Sequence, residues 1–317
     1  MLKRRYLLLI LIPLALSSLF VGVAEMKLTA LIAGQKEAWQ LLWTSRLPRL
    51  MAILMAGAGL SVCGLIMQTL SRNRFVSPTT AGLFDCARLG VLLAIIIIPG
   101  ASILIKAGFA MLVTLAGCIC FMSILATLKH RDPIFVPLVG MIFGGIISAV
   151  TTFIALQLDL LQNIIGWMQG DFSSILNGHY ELIYLSLPLL AAIYFFANRF
   201  ILVGLGQDFA TNLGVAYKST LMIGLLLIST MTAIVVVTVG AIPFLGLIIP
   251  NIVSLYLGDH LRSTLSHTAL LGALLVLACD IFGRLIIFPY ELSISVIMGV
   301  IGSVVFLWLL LRRYQHA

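Results

Sequence analysis

Asp85 and Arg88 stand three positions apart inside one long apolar run, and Asp280 and Arg284 stand four apart inside another. Both spacings put acid and base on the same face of a helix, so the first chemistry on offer is ion pairing. For Asp85 and Arg88 two readings stay open: a local pair that fixes helix packing, or a polar patch lining a pathway. Asp280 reads as structural, whereas Arg284 is expected near a boundary, reaching outward. Arg46 and Arg49 flank Pro48 ahead of a further apolar run, and a planar guanidinium is suited to gripping a carboxylate with two hydrogen bonds. The five histidines (His130, His179, His260, His267, His316) are scattered through loops and ends, without the close spacing of helix-borne metal ligands, so no metal site is expected. The five cysteines (Cys63, Cys86, Cys118, Cys120, Cys279) all lie in apolar segments and give neither a disulfide framework nor a metal set. No phosphate-cradling glycine-lysine loop occurs, since Lys218-Ser219 lacks the preceding glycine, and no nucleophile–base pair can be read. The chain is expected to be no enzyme and to need no cofactor.

The elements that position these residues follow from composition. Hydrophobic residues make up 62% of 317 positions and charged residues 9%, against about a quarter charged in soluble domains. The formal net charge of +8 does not point to nucleic acid, because the basic residues punctuate the apolar runs instead of forming one face. Stretches long enough to cross a bilayer fall at about 6–24, 47–70, 78–98, 104–128, 135–157, 180–200, 219–239, 244–258, 265–287 and 291–311. The first, after Met1-Leu-Lys-Arg-Arg5, is read as a retained helix and not a cleaved signal. The eighth is short and carries Pro250, so it is expected to tilt or break. The runs are apolar throughout, which argues for helices over barrel strands. Glycines such as Gly57, Gly64, Gly140, Gly144, Gly145, Gly299 and Gly302 permit close helix approach.

With the N-terminus inside, twelve basic residues (Lys3, Arg4, Arg5, Arg72, Arg74, Lys129, Arg131, Arg199, Lys218, Arg262, Arg312, Arg313) fall on the cytoplasmic side. Six (Lys27, Lys36, Arg46, Arg49, Lys106, Arg284) fall on the other, and Arg88 lies within a span. This bias predicts an all-α polytopic protein of ten transmembrane helices, both termini cytoplasmic. Residues 1–317 form one integral membrane domain. The segment Gly204-Leu-Gly-Gln-Asp-Phe-Ala-Thr-Asn-Leu-Gly-Val215, between spans six and seven, then lies in the cytoplasm. It is short, polar and framed by glycines, and is expected to fold as about two turns of helix along the membrane face. A compact exposed helix of this kind suits a partner surface.

That segment, read as Gly206-x-x-x-Ala210-x-x-Leu213-Gly214, resembles the coupling loop of the FecCD/BtuC-type permeases, which import iron–siderophores and vitamin B12. The likeness extends through Arg46-Leu-Pro-Arg49, Gly57, Gly64 and Gln68, then Arg72-Asn73 and Ser77-Pro78. It continues through Gly240-Ala-Ile-Pro-Phe-Leu-Gly-Leu-Ile-Ile-Pro250, Asp280-x-x-x-Arg284 and Glu291-Leu-x-Ile, covering residues 40 to 311 in order. Departures are Asn251 where the family commonly has histidine, Ser293-Ile-Ser295 for Pro-Val-Gly, and Gly302-Ser-Val304 for Gly-Ala-Pro, so span ten is expected to be straighter. Leu83-Phe-Asp-Cys-Ala-Arg88 resembles the branch that imports ferric catecholate siderophores.

The resemblance implies the BtuC-like fold of type II ABC importers and a bacterial cytoplasmic (inner) membrane location. It implies a second permease subunit, identical or paralogous, two ATP-binding subunits, and a periplasmic or lipid-anchored substrate-binding protein. It assigns Gly206, Asp208, Phe209, Ala210, Leu213 and Gly214 to ATPase coupling, with small Ala210 and Gly214 allowing the partner close. It assigns Arg46 and Arg49 to the binding protein's acidic residues, the alternative being interfacial arginines that reach toward headgroups; Arg284, expected to face outward with them, is read as a third docking residue. Membrane lipid is the remaining partner. The implied cargo is a ferric siderophore, with cobalamin or haem behind it. The competing reading is a stand-alone secondary transporter or channel using Asp85 or Asp280 for ion coupling.

Overall fold

A computed structural model describes residues 4–22, 28–127, 135–178, 180–258 and 261–314. Lys3, Lys27, Lys129 and Arg131 of the charge count, and His130, His179, His260 and His316, lie outside these residues. The described helices are α1 (Arg4–Phe20), α2 (Leu28–Ile32), α3 (Lys36–Leu41), α4 (Leu47–Ser71), α5 (Leu83–Ile97), α6 (Ile103–Thr127) and α7 (Phe135–Gln157). After these come α8 (Leu161–Met168), α9 (Ser186–Leu205), α10 (Gln207–Asn212), α11 (Tyr217–Thr238), α12 (Leu245–Leu257), α13 (Leu261–Leu285) and α14 (Ile294–Tyr314). Each of the ten apolar stretches overlaps one of the longer helices. Among the described residues, six helical stretches are long and apolar enough to cross a membrane: Lys36–Ser71, Ile103–Thr127, Phe135–Gln157, Glu181–Leu205, Tyr217–Thr238 and Leu261–Leu285. Leu245–Leu257 and Ile294–Leu309 are shorter apolar helices.

The second span is longer than the sequence suggested, beginning at Lys36 and not near residue 47. Pro48 explains the irregularity within it. Proline has no N–H to give the carbonyl four residues back, here Thr44. The backbone N–H of Asn177 donates to that Thr44 oxygen at 2.9 Å, and the turn Leu42–Arg46 relaxes into π-helix. A break that looked like a helix start is therefore bridged by a loop from elsewhere in the chain.

The centre of the molecule is α4, buried along most of its length and packed on α9, α11, α12 and α13. Lipid supplies no hydrophobic drive for such packing, so backbones must approach closely. A Cβ on Gly57 would sit 2.8 Å from the Gly272 carbonyl oxygen of α13, and one on Gly64 would sit 1.8 Å from that of Gly246 on α12. The second contact has a particular cause. Pro250 lies inside α12 without breaking it, but cannot donate to Gly246, so the bare carbonyl faces Gly64 instead of a helical N–H. Asn251, next in sequence, donates its Nδ2 to the Leu247 carbonyl at 2.7 Å and to that of Arg74 at 2.8 Å. A second group forms where α5 packs on α6 and α7, and α11 joins the two by touching α4, α5, α6 and α9. Span ten runs as one helix, Ile294–Tyr314.

Candidate functional site: two opposed ends of the helix bundle

At one end, α4 and α13 bring Arg49 and Asp280 together across 231 positions of sequence. Arg49 donates from Nη2 to Asp280 Oδ1 at 2.7 Å and from Nη1 to Glu291 Oε2 at 2.8 Å. Arg284 approaches the other Asp280 oxygen at 2.5 Å. The same Arg284 donates to the Ser18 and Val21 carbonyls at 2.9 and 2.8 Å and to Ser18 Oγ at 2.5 Å. Arg46 donates to Val21 O at 2.5 Å. These carbonyls close the C-terminus of α1, where backbone acceptors have run out of helical donors. Two guanidiniums thus cap α1, while Arg49 and Arg284 share one aspartate.

The expectation that Arg46, Arg49 and Arg284 present their charges outward is not met. Their relative exposures are 7%, 9% and 2%. An arginine among apolar helices is costly unless its charge and donors are matched, and Asp280, Glu291 and the end of α1 supply the match. Asp280 fits its structural reading. Sequence reasoning missed Ser18 and used Glu291 only as part of a motif. The signal available was two acids, at 280 and 291, flanking an arginine in a chain with eleven acidic residues.

At the opposite end, α9 stops at Gly206, whose φ of 130° and ψ of 163° suit glycine alone. The next residues form α10, a helix of six residues that packs on α9 and α11. Phe209 and Leu213 are 53% and 54% exposed, and Asp208 is exposed beside them. Ala210 corrects the sequence reading, because it is fully buried within its own chain. Its smallness serves the seating of α10 on the bundle and not the approach of a partner. Gly214, exposed with a φ of +76°, ends the segment in a left-handed turn.

Between these ends, half-buried Asp85 and Arg88 both address α7. Arg88 Nη1 donates to Ser148 Oγ at 3.4 Å, and a Cβ on Gly144 would lie 2.7 Å from Asp85 Oδ2. Among the described residues no direct Asp85–Arg88 ion pair forms, so the polar contact is between helices.

Comparison with known proteins places this geometry. Residues 7–312 match the model of the FecCD transport family. The chain is 53% identical over 315 residues to the petrobactin import system permease protein YclN of Bacillus subtilis, covering 99% of this chain and 100% of that one. It is 42% identical to the ferric-anguibactin transport system permease protein FatD of Vibrio anguillarum, covering 94% and 95%. A solved chain, described as an inward-facing ABC transporter provisionally of the metal-chelate type, superposes with a TM-score of 0.77 at 26% identity, covering 96% of each. The chain therefore belongs to the FecCD transport family, as one of its multi-pass membrane permeases.

Proposed function

We propose that this permease is the membrane subunit of a binding-protein-dependent ABC importer that carries a ferric siderophore across the bacterial cytoplasmic membrane. The observation that carries the reading is α10, where Phe209 and the C-capping Leu213 are exposed on the segment that joins two long apolar helices. Such side chains on the aqueous face of a transporter suit a groove on a separate ATPase, which supplies the energy. All ten long helices cross the bilayer in this reading, with both termini and α10 in the cytoplasm. Gly145 of α7 and Gly299 of α14 have open space where a Cβ would stand, which supports a second permease subunit, identical or paralogous, against those helices. Asp85 and Arg88 then either line the path between the subunits or fix α5 to α7.

Arg46, Arg49 and Arg284 remain our candidates for docking a periplasmic or lipid-anchored binding protein, by exchange. An incoming carboxylate displaces Glu291, whose side chain is 21% exposed, and takes over part of the Arg49 fork. The stand-alone transporter reading loses support because Asp280 is held by two arginines, leaving it ill-suited to bind and release a coupling ion. The cargo is assigned from the relatives, which are named for import of petrobactin and ferric-anguibactin. The test is uptake of radiolabelled ferric petrobactin by cells lacking their own petrobactin permease and given this chain with the ATPase and binding protein of a petrobactin importer. Uptake that needs all three components supports the proposal. Uptake undiminished without the ATPase would sink it.

A further inference from the structure

On the face that carries α10, the ends of α4, α9, α12 and α13 enclose a cavity of about 350 Å³, within the range of small-molecule sites, about 300–1,000 Å³. Its lining is divided. Leu65, Ile201, Leu205 and Leu261 make an apolar wall, while Gln68, Arg72, Asn73 and Arg74 supply polar and cationic groups. No carboxylate lines it among the described residues. The two arginines are exposed at the side-chain level, yet their backbones are fixed. Arg72 ends α4 in the left-handed conformation, φ 54°, closed by N–H bonds from Arg72 to Thr69 O and from Asn73 to Gln68 O. The carbonyl of Arg74 is held by Asn251. Among the described residues the Arg72 guanidinium makes no hydrogen bond or ion pair, and it lies against Gly206, where a Cβ would be 2.6 Å from Nη2.

We infer that this cavity is a binding site for an anionic phospholipid, its phosphate on the Arg72 guanidinium with Arg74 beside it and an acyl chain along the apolar wall. Guanidinium forks match phosphate oxygens, and basic pockets between helix ends at a membrane face are where anionic headgroups gather. A soluble anion would use the arginines and leave the leucine wall wet; a phospholipid uses both. The site also explains an arginine at the mouth of the turn into α10, since an occupant that neutralises Arg72 holds the guanidinium packed on Gly206. Lipid at this position would steady the hinge from which α10 projects.

The test is native mass spectrometry of the full chain in detergent, with phosphatidylglycerol, phosphatidylcholine of the same acyl chains, and glycerol phosphate as probes. Wild type should retain phosphatidylglycerol in preference to phosphatidylcholine. A cation near an anionic headgroup strengthens binding about fivefold, so Arg72→Gln with Arg74→Gln should lower phosphatidylglycerol retention by about fivefold or more. Ser254→Phe, which fills the cavity from α12 and leaves both arginines in place, should displace the lipid too, and decides the matter if the arginine variant does not fold. Arg199→Gln with Lys218→Gln removes equal charge outside the cavity and should change little. Equal retention of the two lipids by wild type would overturn the inference, as would retention unaltered by Ser254→Phe. Competition by glycerol phosphate as effective as that by the intact lipid would also overturn it, making the ligand a soluble phosphate.

Discussion

The two ends of this bundle use arginine in opposite ways. At the α1–α4–α13 end, Arg49 and Arg284 are buried and matched to Asp280, Glu291 and the last carbonyls of α1. At the α10 end, Arg72 and Arg74 are exposed beside a cavity, and Phe209 and Leu213 stand out from the surface. The first end is held together by its own charges; the second leaves the Arg72 guanidinium and apolar surface for something else. Residue type alone does not tell the two apart. What decides is whether the fold brings a carboxylate within reach, and Asp280 arrives at Arg49 from more than two hundred residues away.

The largest effect is expected at the closed end. Replacing Asp280 by Ala leaves two buried guanidiniums without their shared anion, and breaking one member out of a buried pair costs about 3–5 kcal/mol. Thermal melting of the purified permease should fall sharply, and little folded protein should be recovered. A variant that melts like wild type would show that water already reaches these arginines, and the contrast between the ends would collapse.

A smaller but still clear effect separates two faces of α10. Ala210→Glu forces a charge into a fully buried position, so both melting temperature and ATPase co-purification should drop. Phe209→Ala with Leu213→Ala should leave melting unchanged and reduce ATPase co-purification about tenfold, the loss of one central apolar anchor. Equal loss of stability in both would mean that α10 is only a packing element. Gly214→Val should fall between them, because a β-branched residue at φ +76° carries about 1–3 kcal/mol of strain, expressed as weakened coupling with insertion intact.

The approximate positions of the longer helices were legible from the apolar runs, and six of them among the described residues are long enough to cross a membrane. α10 was legible from the glycines that bound it. Less could be read where one residue's role depends on a distant one. Pro48 looked like the start of a span, and only the Asn177 N–H shows why the helix passes through it. Pro250 looked like a break, yet the Gly246 carbonyl that it leaves without a donor is used for close packing against Gly64. Ala210 could be recognised as small but not assigned a direction, since six residues give too short a pattern to say which side faces the bundle. Arg46, Arg49 and Arg284 could be gathered at one end by topology. Their burial could not be foreseen, because Ser18 and the end of α1 carry no charge that would advertise them.

Glu291 offers the finest test of the contrast, because it is the one member of the closed network with appreciable exposure. If Arg49 serves only the fold, Glu291→Gln should weaken the permease slightly and leave its association with the binding protein unaltered. If Arg49 docks by exchange, Glu291 competes with the incoming carboxylate, and removing its charge should tighten association. Exposed ion pairs are worth about 0–1 kcal/mol, so the gain should be at most about fivefold. It should shrink as salt rises, since ions screen a partly exposed contact. Arg49→Gln in the same background should abolish the gain, because no guanidinium then remains at that position to be released. Binding-protein association would be followed by surface plasmon resonance on permease in nanodiscs at low and high salt. Tightening that survives Arg49→Gln would place the docking charge elsewhere, and no tightening at low salt would leave the α1–α4–α13 end as a structural clasp.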